Sequence, residues 1–378
     1  MKSIGIITIL KVNNYGAELQ AFALQNFLAK IGYKSEIIDY AFYKNPQHIK
    51  TKKSKSSFNL SLKKRLKEFL YPVFNKIITI KSYKTFQKRS KRFLYFHQRF
   101  SVLSSTFRKI EDLYNADHKY DVFIVGSDQV WNPNNDTNLE PYFLKFAPDG
   151  SVKISYASSF GVDKIPEKYH KIYAKYLCEL SSISVRENSG VNLVKKMSAR
   201  DCALVLDPTF LLNKKDWTDF STQINYTKKY LLIYVFNKNS YITELAKSIA
   251  KEKQLEIVRI CKSVVPSDKN LSIKNILDAG PSEFLAWFKN ASYILTTSFH
   301  GACFSINFNI SFNVILEKGK DNNSRQVDLL NEFNISDRIV FLGDKSFNSD
   351  FVSFENVNKL LKKYKSNSIK YLEDSIGK

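Results

Sequence analysis

A histidine surrounded by hydroxyl and glycine residues is the feature of this sequence best suited to chemistry. In the stretch Tyr293–Ile306, a short apolar run leads into Thr297, Ser298, His300 and Gly301. A strand that enters a helix through such residues leaves backbone N–H groups that attract anions. Imidazole titrates near neutral pH, so His300 could move a proton to or from a bound molecule. The alternative is a capping or buried histidine with no chemical role, and position alone does not decide between them.

A second group of polar residues follows the first apolar run, Ile4–Leu10. Asn14 and Tyr15 lie there, ahead of a pattern with apolar residues at helical spacing and then of Glu36–Tyr40. This order predicts a strand–helix–strand unit of a parallel sheet. Ligands of such sheets bind at the carboxyl ends of the strands. The loop has no G-x-G-x-x-G pattern, so no dinucleotide-binding site is predicted.

A third group follows the apolar run Val122–Val125. Trp131 offers an aromatic surface, Gln129 a carboxamide and Asp128 a carboxylate, and such residue types hold sugar rings. We interpret the group as a ligand-facing loop. A structural turn in which Asp128 caps a helix is the alternative.

Two arginines are candidates for binding an anion. Arg186 lies at the end of the predicted strand Ser182–Glu187, where its guanidinium could hold a carboxylate or phosphate by two hydrogen bonds. A salt bridge with Glu187 is the alternative. Arg325 ends the polar loop Gly319–Arg325.

The elements that position these residues form two α/β series along the 378 residues, which exceed the length of one ordinary domain. The strand Leu204–Phe210 breaks at its Asp-Pro pair, which marks a boundary. We predict an N-terminal domain at 1–205 with a basic helical insertion at about 45–110. A C-terminal domain at 206–345 would carry the anion site, and 346–378 would form a helical tail.

The basic insertion carries most of the excess charge of a chain whose formal net charge is +22. Between Lys50 and Lys109 there are 18 Lys or Arg residues and one acidic residue, Glu68. Apolar residues recur at helical spacing within Leu62–Ile78. The segment is interpreted either as a helix that contacts a membrane surface or another anionic partner, or as a solvated face. No nucleic-acid-binding module accompanies it, so no specific nucleic acid is expected.

The cysteines and the N-terminal run indicate the compartment. The 4 cysteines are far apart and form no CxxC pair, so neither a zinc site nor a disulfide framework is predicted. Ile4–Leu10 is too short to span a membrane and has no cleavage site after it. We therefore expect a cytoplasmic protein.

Six motifs, in this order, resemble those of the polysaccharide pyruvyl transferase family. They are Asn14–Gln20, Val125–Asn132, Ser155–Gly161, Ser184–Glu187, Leu206–Thr209 and Thr297–Gly301. The resemblance runs from residue 1 to about Arg338 and is weakest in the basic insertion. It implies two Rossmann-like domains that face each other across a cleft, a glycosyltransferase-B-like architecture.

The resemblance also implies a reaction. Phosphoenolpyruvate would be the donor substrate, and its pyruvate would be placed on a sugar as a cyclic ketal with release of phosphate. Protonation of the enol carbon makes its neighbour electrophilic, and two sugar hydroxyls then attack that neighbour. Such chemistry needs a general acid, cationic partners for the donor and a surface that orients the sugar. Neither a cofactor nor a metal is implied.

Carried over by motif, the site residues take three roles. His300 is the candidate general acid, and Asp128 is a candidate base for a sugar hydroxyl. The donor side comprises Arg186, Thr297, Ser298 and Gly301, and the acceptor side comprises Asn14, Tyr15, Gln129 and Trp131. Some family members carry an arginine two residues before the motif histidine, where this chain has Ser298. We expect Arg325 to supply that charge.

The first hypothesis is therefore a cytoplasmic pyruvyl transferase that acts on a lipid-linked capsular or exopolysaccharide repeat unit, at the inner face of the membrane. A glycosyltransferase of the same fold that uses a nucleotide sugar is the alternative, kept open by Ser298. A non-catalytic anion- or nucleic-acid-binding protein is a second alternative.

Overall fold

The computed structural model describes residues 2–40, 83–134, 139–236, 239–263, 272–320 and 323–377. The apolar residues of Leu62–Ile78, and with them much of the predicted basic insertion, lie outside the described residues.

The first sheet contains four parallel strands in the order β2-β1-β3-β4. They are β1 (Ser3–Ile7), β2 (Lys34–Ile37), β3 (Val122–Val125) and β4 (Val152–Ser155). Two short paired strands, β5 (Ser184–Val185) and β6 (Ala203–Leu204), continue the sheet through a bridge between Ile154 and Ser182. All four residues of β3 are buried, as expected for a parallel sheet covered on both faces.

The described part of this half of the chain contains five helices. They are α1 (Tyr15–Lys30), α2 (83–100), α3 (Ile110–Tyr114), α4 (His170–Cys178) and α5 (Asn188–Ser198). Short 3-10 turns lie at Glu140–Phe143 and Glu167–Tyr169.

The second sheet contains six parallel strands in the order β12-β11-β10-β7-β8-β9. They are β7 (Tyr230–Tyr234), β8 (Glu256–Ile260), β9 (Ile273–Ile276), β10 (Tyr293–Thr296), β11 (Phe312–Leu316) and β12 (Ile339–Phe341). Its helices are α6 (Lys214–Asp219), α7 (Ser240–Glu252), α8 (Pro281–Lys289), α9 (Phe299–Phe308) and α10 (Ser324–Glu332). Further 3-10 turns lie at Pro208–Phe210 and Ser336–Arg338.

The final helix, α11 (Phe354–Gly377), returns to the first half of the chain. The Tyr371 hydroxyl donates to the Ser155 carbonyl oxygen at 2.9 Å, and the Ser368 hydroxyl accepts from the Leu206 N–H at 2.9 Å. This helix therefore contacts the carboxyl end of β4. The division at 205/206 stays a prediction.

The described part of the basic insertion, α2, packs between the two halves. Phe93 and Phe96 are buried in the apolar core. The Arg92 guanidinium lies 3.2 Å from the Asp278 carboxylate and 3.0 Å from that of Glu283. Neither sequence interpretation included such intramolecular ion pairs, because the charge pattern alone does not reveal carboxylates that lie far along the chain.

The prediction of an α/β fold with two Rossmann-like domains is confirmed. Both sheets are parallel, and the loops that follow their strands meet in one cleft, as in a glycosyltransferase-B-like architecture. Within the described ranges, no helix has the length and apolar character needed to cross a membrane.

Candidate active site

His300 lies in the first turn of α9, directly after β10. Ser298 caps this helix, because its hydroxyl accepts a hydrogen bond from the Gly301 N–H at 3.3 Å. A side chain at Gly301 would place its Cβ 2.2 Å from the Thr296 hydroxyl oxygen. Glycine therefore allows the helix to pack closely on the end of its own strand and fixes where the imidazole projects.

The imidazole lies between Asp207 and the start of α1. Its Nε2 lies 3.5 Å from the Asp207 carboxylate. On the other side, a Cβ added at Gly16 would be 2.1 Å from its Nδ1. The first turn of α1 thus packs directly on His300, which brings the two halves of the chain together.

Asp207 is fully enclosed by donors. Its Oδ1 accepts from the Thr209 N–H at 3.0 Å and hydroxyl at 2.8 Å, and its Oδ2 accepts from the Ser127 hydroxyl at 2.8 Å. Burial raises the pKa of Asp207, but His300 and Arg186 outweigh burial and hold that pKa well below its usual range. The carboxylate is therefore ionised at neutral pH and can orient the imidazole and stabilise its protonated form.

Arg186 is the central cation of the cluster. Its Nη1 donates to Asp207 at 2.8 Å and to the Ser127 hydroxyl at 3.1 Å. Its guanidinium also lies 4.3 Å from the centre of the Phe299 ring. The side chain has 0% exposure, so Arg186 is held within the protein and is not an open clamp.

Two further carboxylates compensate the charge of Arg186. Asp128 lies 3.6 Å from its Nη2, and Glu187 lies 3.6 Å from its Nε. The salt bridge with Glu187 that the sequence left open is therefore present. Burial raises the pKa of Glu187 despite the nearby Arg186. Asp128 has a left-handed backbone, with φ of 70°, which aspartate tolerates and which turns the chain sharply after β3.

Arg325 joins this cluster from the second half of the chain. It lies in the first turn of α10, whereas the sequence predicted a polar loop. That prediction was wrong because helices are predicted from the spacing of apolar residues, and this turn begins with polar residues. In the orientation that satisfies its neighbours, the Gln129 amide oxygen lies 2.9 Å from Nη1 and 3.2 Å from Nη2 of Arg325. Burial and repulsion from Arg186 lower the pKa of Arg325 to about 10, so it stays charged at neutral pH.

In the predicted phosphate turn, the backbone N–H groups of Thr297, Ser298 and Gly301 donate within the protein and not to a ligand. The N–H of Thr297 donates to the Tyr234 carbonyl oxygen at 3.3 Å, and that of Ser298 donates to the Thr296 hydroxyl at 3.0 Å. The N–H of Gly301 is taken by Ser298, as described above. A buried turn must satisfy its own N–H groups, so an anion bound here would depend on side chains.

The acceptor side is also corrected at one position, Trp131. Trp131 has 0% exposure, stacks on Phe143 with ring centres 5.1 Å apart and donates from its indole N–H to the Tyr142 carbonyl oxygen. A large apolar ring gains more from core packing than from exposure, so Trp131 offers no face to a sugar. Tyr15 is also largely buried, and its ring stacks on Phe284 at 4.4 Å. It does line a cavity, so its role on the acceptor side stays a prediction.

Asn14 and Gln129 lie at the edge of the cluster. The Asn14 side-chain oxygen accepts from the Gly16 N–H at 3.0 Å and so caps α1. Gln129 contacts Arg325. Each therefore has a structural role: Asn14 caps α1, and Gln129 holds Arg325. Their predicted contacts with an acceptor stay predictions.

Sequence reasoning assigned no role to Asp207 or Gly16. Asp207 was noticed as part of the Asp-Pro pair that breaks a strand and of the motif Leu206–Thr209, and Gly16 as part of the motif Asn14–Gln20. The signal available for Asp207 was that an acidic residue lies both inside a motif and at the end of a predicted strand. Among the described residues, no group of three or more His, Cys, Asp or Glu side chains is placed to bind a metal ion.

Comparison with solved structures finds similar chains at low sequence identity. The UDP-GlcNAc 2-epimerase from Methanocaldococcus jannaschii is 12% identical over 96% of this chain and 98% of that chain, with a TM-score of 0.47. Arabidopsis thaliana UGT89C1 is 9% identical over 100% and 98%, with a TM-score of 0.49. The UDP-GlcNAc 2-epimerase from Neisseria meningitidis, bound to UDP-GlcNAc, is 10% identical over 100% and 93%, with a TM-score of 0.46.

Comparison of sequences identifies the family. No curated protein matches this chain. The sequence profile of the polysaccharide pyruvyl transferase family matches residues 14–318, a span that includes Arg186, Asp207 and His300 and ends before Arg325. This chain belongs to the polysaccharide pyruvyl transferase family.

Proposed function

We propose that the chain transfers pyruvate from phosphoenolpyruvate to a sugar as a cyclic ketal, with release of phosphate. The sugar would belong to a surface polysaccharide or to its lipid-linked repeat unit. Membership of the family supports a transferase that acts in polysaccharide synthesis. The observation that carries the proposal is the 3.5 Å contact of His300 with Asp207, beside two arginines.

His300 would begin the reaction as the general acid. Its imidazolium donates a proton to the methylene carbon of phosphoenolpyruvate, and the adjacent carbon becomes electrophilic. Asp207 holds the imidazole in place and stabilises its protonated form before transfer.

Two sugar hydroxyls would then complete the ketal. The first attacks the electrophilic carbon, and Asp128 takes its proton. The second replaces phosphate, so one carbon–oxygen bond forms as the bond to phosphate breaks. Its proton returns to His300, and the proton on Asp128 leaves with phosphate, which restores both side chains.

The two arginines would divide the work of binding the donor. Arg325, whose guanidinium is charged and contacts the Gln129 amide oxygen, would pair with an anionic group of phosphoenolpyruvate. Arg186 is enclosed by Asp207, Asp128 and Glu187, so it would act by positive potential and by holding these carboxylates. Asn14 and Gln129 would contact the acceptor.

Phosphate release in the presence of phosphoenolpyruvate and galactose, mannose or glucosamine acceptors tests this proposal. His300→Ala should abolish release without loss of folding. His170→Ala is the matched control, because His170 bonds only to the Ile165 carbonyl oxygen at 2.8 Å in the described structure, outside the cluster. Unchanged turnover in His300→Ala would remove His300 from the mechanism. Thermal stabilisation by nucleotides and none by phosphoenolpyruvate would point to a nucleotide-sugar donor.

The place of action is part of the proposal. We propose that the protein works in the cytoplasm at the inner face of the membrane. Basic residues of the segment 50–109 other than those of α2 that pack between the two halves would contact anionic lipid headgroups there. A lipid-linked acceptor would then be presented to the cleft.

A further inference from the structure

A contact between the two halves of the chain lies directly beside the charge cluster. The Asp328 carboxylate, on α10, accepts hydrogen bonds from the N–H groups of Asn188 at 2.9 Å and Ser189 at 3.4 Å. These two residues begin α5, and they follow Arg186 and Glu187 with no loop between. A side chain of the second half therefore caps a helix of the first half.

The start of α5 needs this acceptor from outside the helix. Glu187 precedes the helix, but its side chain makes no capping hydrogen bond. Its carboxylate accepts from the Phe160 N–H at 3.1 Å instead. The N–H groups of a first helical turn have no partner within the helix, and their positive partial charge favours a carboxylate. Asp328 thus supplies the cap that the preceding residue does not.

The helix that carries Asp328 also carries Arg325. The two residues are three positions apart on α10, so their side chains project from the same face. Arg325 is buried, and repulsion from Arg186 is one of the causes that lower its pKa. Like charges at this spacing tend to separate, and Glu187 and Asp128 offset only part of the repulsion. The hydrogen bonds of Asp328 attach α10 right beside it.

A second hydrogen bond joins the same pair of helices. The Asn188 side-chain amide donates to the Glu332 carboxylate at 3.1 Å, and Glu332 lies one turn after Asp328 on α10. Asn188 is exposed, so this bond contributes less than one shielded from water. Burial raises the pKa of Asp328, because its carboxylate lies partly out of water. The bonds of Asp328 are therefore the stronger part of the contact.

We infer that Asp328 is a positioning residue for the donor site. By capping α5 it fastens α10 to the first half of the chain. It thereby holds Arg325 beside Arg186 and Gln129, against the repulsion between the two guanidinium groups. The inference rests on the proposed function for the role of Arg325 in binding the donor, but the attachment of α10 to α5 does not depend on that role.

Steady-state kinetics of phosphate release test this role. Asp328→Ala should raise KM for phosphoenolpyruvate by about five-fold, because Arg325 is no longer held in place. It should change kcat by less than about two-fold, since the contact between His300 and Asp207 does not involve α10. An unchanged KM, or a loss confined to kcat, would overturn the inference.

Two further variants separate capping from a general loss of structure. Asp328→Asn keeps an oxygen that can accept from α5, and asparagine caps helices about as well as aspartate, so its KM should lie within about two-fold of the wild type. Asp344→Ala is the matched control, because Asp344 also accepts a backbone N–H, from Phe341 at 2.9 Å, but pairs with Lys318 outside the cluster. Its KM should not change. A KM in Asp328→Asn as high as in Asp328→Ala, or an equal rise in Asp344→Ala, would contradict a capping role.

A double-mutant cycle shows whether Asp328 acts through Arg325. In the Arg325→Gln background, Asp328→Ala should raise KM for phosphoenolpyruvate by less than about two-fold, because the side chain that it positions is already gone. A further rise of about five-fold in that background would show that the two residues act independently, and the inference would be wrong.

Amide hydrogen exchange of the full-length chain separates this inference from the proposed function. Exchange in α5 and α10 should be faster in Asp328→Ala than in the wild type and unchanged in Asp344→Ala, because only the first variant releases the contact. Unchanged exchange in Asp328→Ala would overturn the inference. Faster exchange in that variant, with no turnover of phosphoenolpyruvate by the wild type, would support the contact and contradict only the proposed function.

Discussion

The His300 Nε2 lies 3.5 Å from the Asp207 carboxylate, and the same carboxylate accepts a 2.8 Å hydrogen bond from Arg186. One buried acid thus joins the strand ends of the two halves of the chain. Because it contacts both the proposed acid and the central cation, its replacement should affect chemistry and stability together.

Asp207→Asn should lower kcat for phosphate release by about a hundred-fold, because the imidazolium loses its counter-charge and its orientation. Leaving Arg186 without this partner should also cost about 3–5 kcal/mol of unfolding free energy. Steady-state kinetics and denaturant titration measure the two effects. A variant with normal kcat would show that the carboxylate is structural only.

Stability should depend on pH through the same carboxyl. The folded-state pKa of Asp207 lies below its unfolded value, so its contribution is complete above the unfolded value of about 4 and is lost as pH falls toward the folded value. The stability difference between wild type and Asp207→Asn should therefore be constant from about pH 7 to 5. It should shrink by about 1 kcal/mol at about pH 3. A difference that grows on acidification would contradict this assignment.

Gly16→Ala should displace the imidazole, since the added Cβ would lie 2.1 Å from its Nδ1. We expect kcat to fall by about ten-fold or more, because the proton donor moves away from its working position. Gly377→Ala is the control, as a Cβ there meets no atom within 4 Å. Kinetics indistinguishable from the wild type would mean that the backbone shifts and His300 does not.

Arg325→Gln should raise KM for phosphoenolpyruvate by about ten-fold, since it removes one charge-assisted contact to the donor. Arg338→Gln is a matched control, because Arg338 is equally buried in the same half but pairs with Asp337. An unchanged KM in Arg325→Gln, measured with saturating acceptor, would exclude Arg325 from the donor site.

Neutralising Lys63, Lys64, Arg65 and Lys67 together as Gln should reduce co-sedimentation with anionic vesicles. Each basic side chain near such a surface contributes about 1 kcal/mol. Neutral vesicles provide the control, and phosphate release from phosphoenolpyruvate in the presence of a soluble acceptor should not change. Equal co-sedimentation of variant and wild type would argue against contact through this segment.

Local patterns determined much of the architecture and part of the candidate site. Apolar runs followed by helical spacing predicted the parallel strands, because burial on both faces requires continuous apolar sequence. Polar residues after β1, β3, β5 and β10 were predicted to be ligand-facing, since strand ends of parallel sheets share one edge. His300, Asp128, Arg186 and Gln129 do converge in this way, although their catalytic and binding roles stay predictions.

Only the tertiary structure decided which charges meet and which rings stay accessible. Asp207 reaches His300 and Arg186 across 93 and 21 positions of sequence, a pairing that no local pattern encodes because it depends on how two sheets face each other. The burial of Trp131, and the use of the Gly301 N–H by Ser298, likewise follow from packing. Arg89 and Arg259 line one cavity for the same reason: a shared concave surface exists only once distant segments have folded together.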